Sequence, residues 1–150
     1  MKVIICGSIE FTPKMLELKE QLEALYHEVN IPYMAQKIAN GEIPYEEFLQ
    51  TKNAQGGDTI FRQNASVDVI KRYRNLIASS DAILVLNLDK KWIENYIGGN
   101  TLMEMWFAYG FDKKIFLYNP LPQPSERIHY LDEIVATKPI VINWDVSKIQ

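Results

Sequence analysis

The chain has 150 residues, 47% hydrophobic and 23% charged, with a formal net charge of -3. That balance fits one folded unit whose core needs no covalent staple, and it excludes a disordered tail or a disulfide scaffold. The 16 lysines and arginines are scattered, which makes a nucleic acid polymer a poor partner while leaving room for a single nucleotide.

Cys6 is the one cysteine, so there is no internal disulfide and no paired-cysteine metal site. It lies in the apolar run Val3-Ile4-Ile5-Cys6, where a small buried hydrophobe is the plain reading. No apolar stretch approaches the ~20 residues of a membrane helix. The chain opens on that first run without a separable leader. A cytoplasmic protein with no membrane partner is the expectation.

Val3 to Cys6, closed by Gly7-Ser8, reads as a strand buried on both faces. Thr12-Pro13 offers an N-cap followed by proline at the first helical position. Met15, Leu18, Leu22, Leu25 and Val29 then follow at helical steps. Residues 31–62 are hard to read. A short helix over 43–52 starts near Pro44, and Gln55-Gly56-Gly57-Asp58 reads as a turn. Val67, Ile70, Tyr73, Leu76 and Ile77 restore helical spacing, with Lys71, Arg72 and Arg74 on a solvated face. Ala82 to Leu86 is a strand entered from Asp81. A polar loop with Trp92 and Tyr96 ends in Gly98-Gly99.

Leu102 to Tyr109 reads as a helix apolar enough to be buried on more than one side, with Gly110 as C-cap. Ile115 to Tyr118 is a strand. Ser125 caps a helix carrying Ile128, Leu131, Ile134 and Val135, and Pro139 to Ile142 is the last strand. The alternation predicts a single α/β domain, a flavodoxin-like or Rossmann-like three-layer sandwich around a mostly parallel five-stranded sheet. Ligands of such folds sit at the carboxyl ends of the strands. That directs attention to Gly7, Ser8, Asn119 and the stretch from Asn87 to Thr101.

One segment carries candidate chemistry. Gly98 and Gly99 allow a tight turn and a close backbone approach. Asn100 or Thr101 can cap the helix that follows, and Glu104 then falls in its first turn. A carboxylate there is expected to stay ionised, suited to a nucleophile or to stabilising a cationic centre. The same spacing, Thr101-x-x-Glu104, is also a capping box, and spacing alone does not separate the two. Asn87, at a strand end, can bond a sugar hydroxyl or form a turn. Trp92 and Tyr96 can stack on a base or pin the loop. His27 and His129, both expected in helices, suggest no metal site and no catalytic triad.

The stretch Asp81-Ala-Ile-Leu-Val-Leu-Asn87, then Gly99-Asn100-Thr101-Leu-Met-Glu104-Met-Trp-Phe-Ala108 and Lys114-Ile-Phe-Leu, resembles the core of the nucleoside 2-deoxyribosyltransferase family. Related nucleoside 5'-monophosphate N-glycosidases share that core. The resemblance implies cleavage or transfer at the N-glycosidic bond, with Glu104 at the nucleophile position and no cofactor. It also implies a sugar or phosphate at Gly7-Ser8 and a homo-oligomer whose partner completes the pocket. Asp89 is the candidate proton donor. Two positions depart from the family pattern. Gly98-Gly99-Asn100 lacks an acidic residue ahead of the turn, and Trp106 stands where glycine is frequent. A binding or sensing module without turnover is therefore the alternative, and a flavodoxin-like electron carrier is a third reading.

Overall fold

The computed structural model describes residues 1–55 and 68–150. Gly56 to Asp58 and Val67, to which a turn and a helix start are assigned above, lie outside them. β1 (Lys2–Gly7) has four successive fully buried residues, Val3 to Cys6, as a strand covered on both faces requires. A 3-10 turn, Ile9–Phe11, leads into α1 (Thr12–Ala24), whose Met15, Leu18 and Leu22 are fully buried. Burial stabilises each by about 1.5–3 kcal/mol. There follow β2 (Glu28–Asn30), α2 (Tyr33–Ala39) and α3 (Tyr45–Gln55). Asp68 caps α4 (Val69–Ala78), its carboxylate accepting the Lys71 N–H at 3.0 Å. β3 (Ala82–Leu86) is buried throughout, and α5 (Gly99–Gly110) leads to β4 (Lys114–Leu117). α6 (Leu131–Ala136) and the short β5 (Ile140–Val141) complete the sequence of strands.

The five strands form an all-parallel sheet in the order β2-β1-β3-β4-β5, a flavodoxin-like or Rossmann-like arrangement. Val3 to Gly7 pair in register with Ala82 to Leu86. Alternate residues feed two cores. Val3, Ile5, Leu84 and Leu86 pack with α1, while Ile4, Cys6, Ile83 and Val85 pack with α4, α5 and α6. The chain leaves β1 toward one edge of the sheet and leaves β3 toward the other. The crevice outside the carboxyl ends of β1 and β3 is therefore the topological switch point.

Several expectations are corrected. Val29 is not helical: α1 ends at Ala24, Tyr26 turns the chain at φ 64°, and Val29 is buried in β2. His27 lies in that connection and His129 in the loop before α6, so neither is in a helix. Ser125 does not cap a helix; it closes a tight turn with Ile128 by mutual backbone bonds, and the helix starts only at Leu131. Gly110 is the last residue of α5 and Phe111 is its C-cap. α5 is amphipathic rather than buried all round: Thr101, Met105 and Ala108 are buried, while Trp106 and Tyr109 meet edge to face, 5.5 Å apart, on its exposed side. Lys71, Arg72 and Arg74 are exposed as expected, with Tyr73 buried between them.

Candidate functional site

The crevice is built first from Gly7. Its φ is 153°, and a Cβ there would lie 2.8 Å from the Leu86 carbonyl oxygen, so only glycine lets β1 and β3 approach this closely. Ser8 follows, and its hydroxyl accepts a 2.7 Å hydrogen bond from Lys90 Nζ. The Lys90 side chain is only 9% exposed. Its ammonium lies 3.4 Å from a Glu10 carboxylate oxygen and 5.5 Å from the centre of the Tyr96 ring. Lys90 is therefore a buried cation at the switch point and not part of a solvated loop. Tyr96 also packs against Gly98: a Cβ there would lie 3.1 Å from its hydroxyl oxygen.

α5 opens beside this cluster. Gly98 is its N-cap, so neither Asn100 nor Thr101 caps it, and the capping box does not form. Gly99 and Asn100 are exposed, whereas Thr101 is buried. Glu104 falls in the second turn, one turn beyond Thr101, beside β1 and α4. The residue retains some solvent exposure, while the surrounding protein desolvates its carboxyl. Burial pushes its pKa up to about 8, and the Cys6 thiol, donating to the carboxylate, only partly opposes this. The expected ionised carboxylate is thus corrected: at neutral pH the free protein holds it mainly protonated, because the helix dipole acts weakly past the first turn.

Cys6 and Tyr73 are the neighbours that sequence reasoning did not bring to Glu104. Burial and the nearby Glu104 carboxyl push the Cys6 thiol well up, so it behaves as a neutral donor. The Tyr73 hydroxyl donates to the Ile5 carbonyl at 2.6 Å, tying α4 to β1. Its own pKa is raised, first by burial and then by Cys6 and Glu104. The signal for Cys6 was its position directly before the Gly7 turn; for Tyr73 it was the four-residue step to the buried Ile77.

Two other candidates are engaged elsewhere. Asn87 is fully buried, and its side chain is turned to β4's exit: Nδ2 donates to the carbonyls of Asn119 and Pro120, and Oδ1 accepts the Asn119 N–H at 2.8 Å. Asp89 is exposed and accepts the Asn95 N–H at 2.9 Å, which folds the loop. Both are fasteners in this arrangement. Among the described residues, Asn119 Oδ1 is buried without a hydrogen-bond partner.

Neither protein-family models, nor curated proteins, nor solved structures gave a match to this chain. The site is accordingly read from its own chemistry. A crevice at the switch point, a buried lysine beside a serine hydroxyl, and a mainly protonated carboxyl suit a small polar molecule carrying an anionic or hydroxylated group. Among the described residues no group of three His, Cys, Asp or Glu side chains is arranged to hold a metal, and no helix is long and apolar enough to cross a membrane.

Proposed function

We propose that this crevice binds a nucleoside or nucleoside 5'-monophosphate and that Glu104 acts on its N-glycosidic bond, by cleavage or by transfer of the sugar. What carries the reading is Glu104 itself. It is a half-buried residue beside the carboxyl end of β1, its carboxyl bonded by the Cys6 thiol and its pKa strongly shifted, and such shifts concentrate at sites of chemistry. It occupies the position that the resemblance to nucleoside 2-deoxyribosyltransferases assigns to the nucleophile.

As the base departs, positive charge grows at the anomeric carbon, and an ionised Glu104 compensates it or bonds to it. Only the carboxylate can do this. With a pKa of about 8, about a tenth of the free protein carries it at pH 7, since each pH unit is a factor of ten. kcat/KM for base release therefore rises about tenfold per unit up to pH 8 and levels above it. The measurement is free base released from a panel of nucleosides and nucleoside monophosphates across that range. Glu104→Gln should lower turnover at least ~100-fold. A profile that falls through pH 8 would make Glu104 the proton donor; full turnover by Glu104→Gln would remove it from the reaction.

A binding module without turnover is favoured by one observation: Asp89, the candidate proton donor, is turned into its own loop by accepting the Asn95 N–H. Saturable binding without any free base across the panel selects that reading.

A further inference from the structure

At the tip of the loop after β3, Lys91 and Trp92 form a two-residue turn closed by reciprocal backbone bonds between Lys90 and Ile93, at 3.0 and 2.9 Å. Both central residues have positive φ, 55° and 63°. That conformation suits Asn-Gly, not Lys-Trp, so the turn accepts strain to hold these two side chains. The Trp92 indole is fully exposed. Opposite lies the Ser125–Ile128 turn, itself fastened by the Ser125 hydroxyl accepting the N–H groups of Arg127 and Ile128. Arg127 Nη1 donates to the Lys91 carbonyl at 2.8 Å and locks the two turns together.

Between them is an open cavity of about 330 Å³ lined by Lys91, Trp92, Ile93, Ser125, Glu126 and Arg127. This is at the lower end of ligand-sized volumes. Among the described residues neither Lys91 nor Arg127 has an ion-pair partner. The guanidinium is thus oriented by one carbonyl, with donors left for a second acceptor.

We infer that this cleft is a second binding site, for a small molecule that joins a flat aromatic ring to an anionic group: the ring stacks on Trp92, and the anion takes the Arg127 guanidinium and the Lys91 ammonium. An aromatic face beside two cations recognises such molecules without reading a sequence. Glu126 on the rim disfavours a second negative charge on the far side of the ring. The cleft's lining includes neither Glu104 nor Gly7, Ser8 and Lys90 of the crevice, and the site does not depend on the glycosidic reading.

The probe is adenosine 5'-monophosphate, titrated against the full chain by calorimetry in a Glu104→Gln background so that no turnover consumes it. Adenosine and inorganic phosphate serve as the two half-ligands. Saturable binding is expected. Trp92→Ala and Arg127→Gln should each weaken the binding event at this cleft at least tenfold and leave any event at the Glu104 crevice in place, and each half-ligand should bind the cleft at least tenfold more weakly than the whole. Circular dichroism and the melting temperature check that both surface variants fold. Affinity unchanged in Trp92→Ala and Arg127→Gln would place the nucleotide elsewhere and overturn the assignment, as would no saturable binding at all. Adenosine binding as tightly as the monophosphate would overturn the anionic half. Base release measured separately in Arg127→Gln with Glu104 intact distinguishes the two sites, since this variant should leave it unchanged.

Discussion

At the scale of single residues, Glu104 shows which information a sequence holds and which it does not. Its place after a glycine turn at the start of an apolar helix was legible, because glycine turns and helical spacing are local. Its charge state was not, because it depends on how densely other elements crowd the carboxyl. Cys6 comes from β1 and Tyr73 from α4, residues far away along the chain. A thermodynamic consequence follows. The folded carboxyl has a pKa of about 8 against 4.5 for the free group, so between these values the folded state holds a proton that the unfolded state has lost. Stability must fall as pH rises from 4.5 to 8 and then flatten. The neutral Glu104→Gln side chain lacks this slope. It should be more stable than the native chain at pH 8 by ~1–3 kcal/mol, with the difference shrinking toward pH 5. Urea unfolding of both proteins at the two pH values gives the answer, and parallel pH dependence would mean the carboxyl is solvated like any surface glutamate.

At the scale of elements, long regular patterns were readable and short or irregular ones were not. β1, α1, β3 and α5 each carry several apolar residues at one period; β1, β3 and α5 appear close to their expected limits, while α1 starts as expected but ends at Ala24, short of Val29. β2 is three residues, Glu-Val-Asn, with one buried side chain. Such a strand is made by its parallel pairing with β1 and not by its own pattern. The helical spacing that runs on to Val29 hid it, since Val29 satisfies both periods. The Ser125–Ile128 turn was missed for a related reason, because Ser125 can fasten a tight turn as well as cap a helix. The Lys91-Trp92 turn was equally unreadable, because nothing in that pair signals positive φ. Replacing the pair by Asn-Gly, through Lys91→Asn with Trp92→Gly, should relieve αL strain and stabilise the protein by ~1 kcal/mol. A rise in melting temperature of a few degrees is the expected reading. A fall would mean that the two side chains contribute more to the fold than their exposure indicates.

At the scale of the whole molecule, the alternation of strands and helices was enough for a parallel sheet covered on both faces, because crossovers of that length allow little else. The position of β2 at the edge beside β1 was beyond reach while β2 itself was invisible. With the order 2-1-3-4-5 in place, the carboxyl ends of β1 and β3 become the crevice, and Gly7, Ser8, Lys90 and Glu104 gather around it from three separate stretches of chain. Asn87 stands at the same end but faces sideways. Its amide spans the exits of β3 and β4, giving two donors to the Asn119 and Pro120 carbonyls and taking the Asn119 N–H, while Asn119 Nδ2 returns a bond to the Asn87 carbonyl at 3.0 Å. The bonds to Asn119 are buried, so truncating the side chain strands polar backbone groups where water does not easily replace it. Asn87→Ala should therefore cost ~2–4 kcal/mol in denaturant unfolding. Nucleotide affinity, measured well below the unfolding transition, should change less than threefold. The opposite pattern, unchanged stability with lost binding, would show that Asn87 faces the ligand and that β3 and β4 are held at their carboxyl ends by the sheet ladder alone.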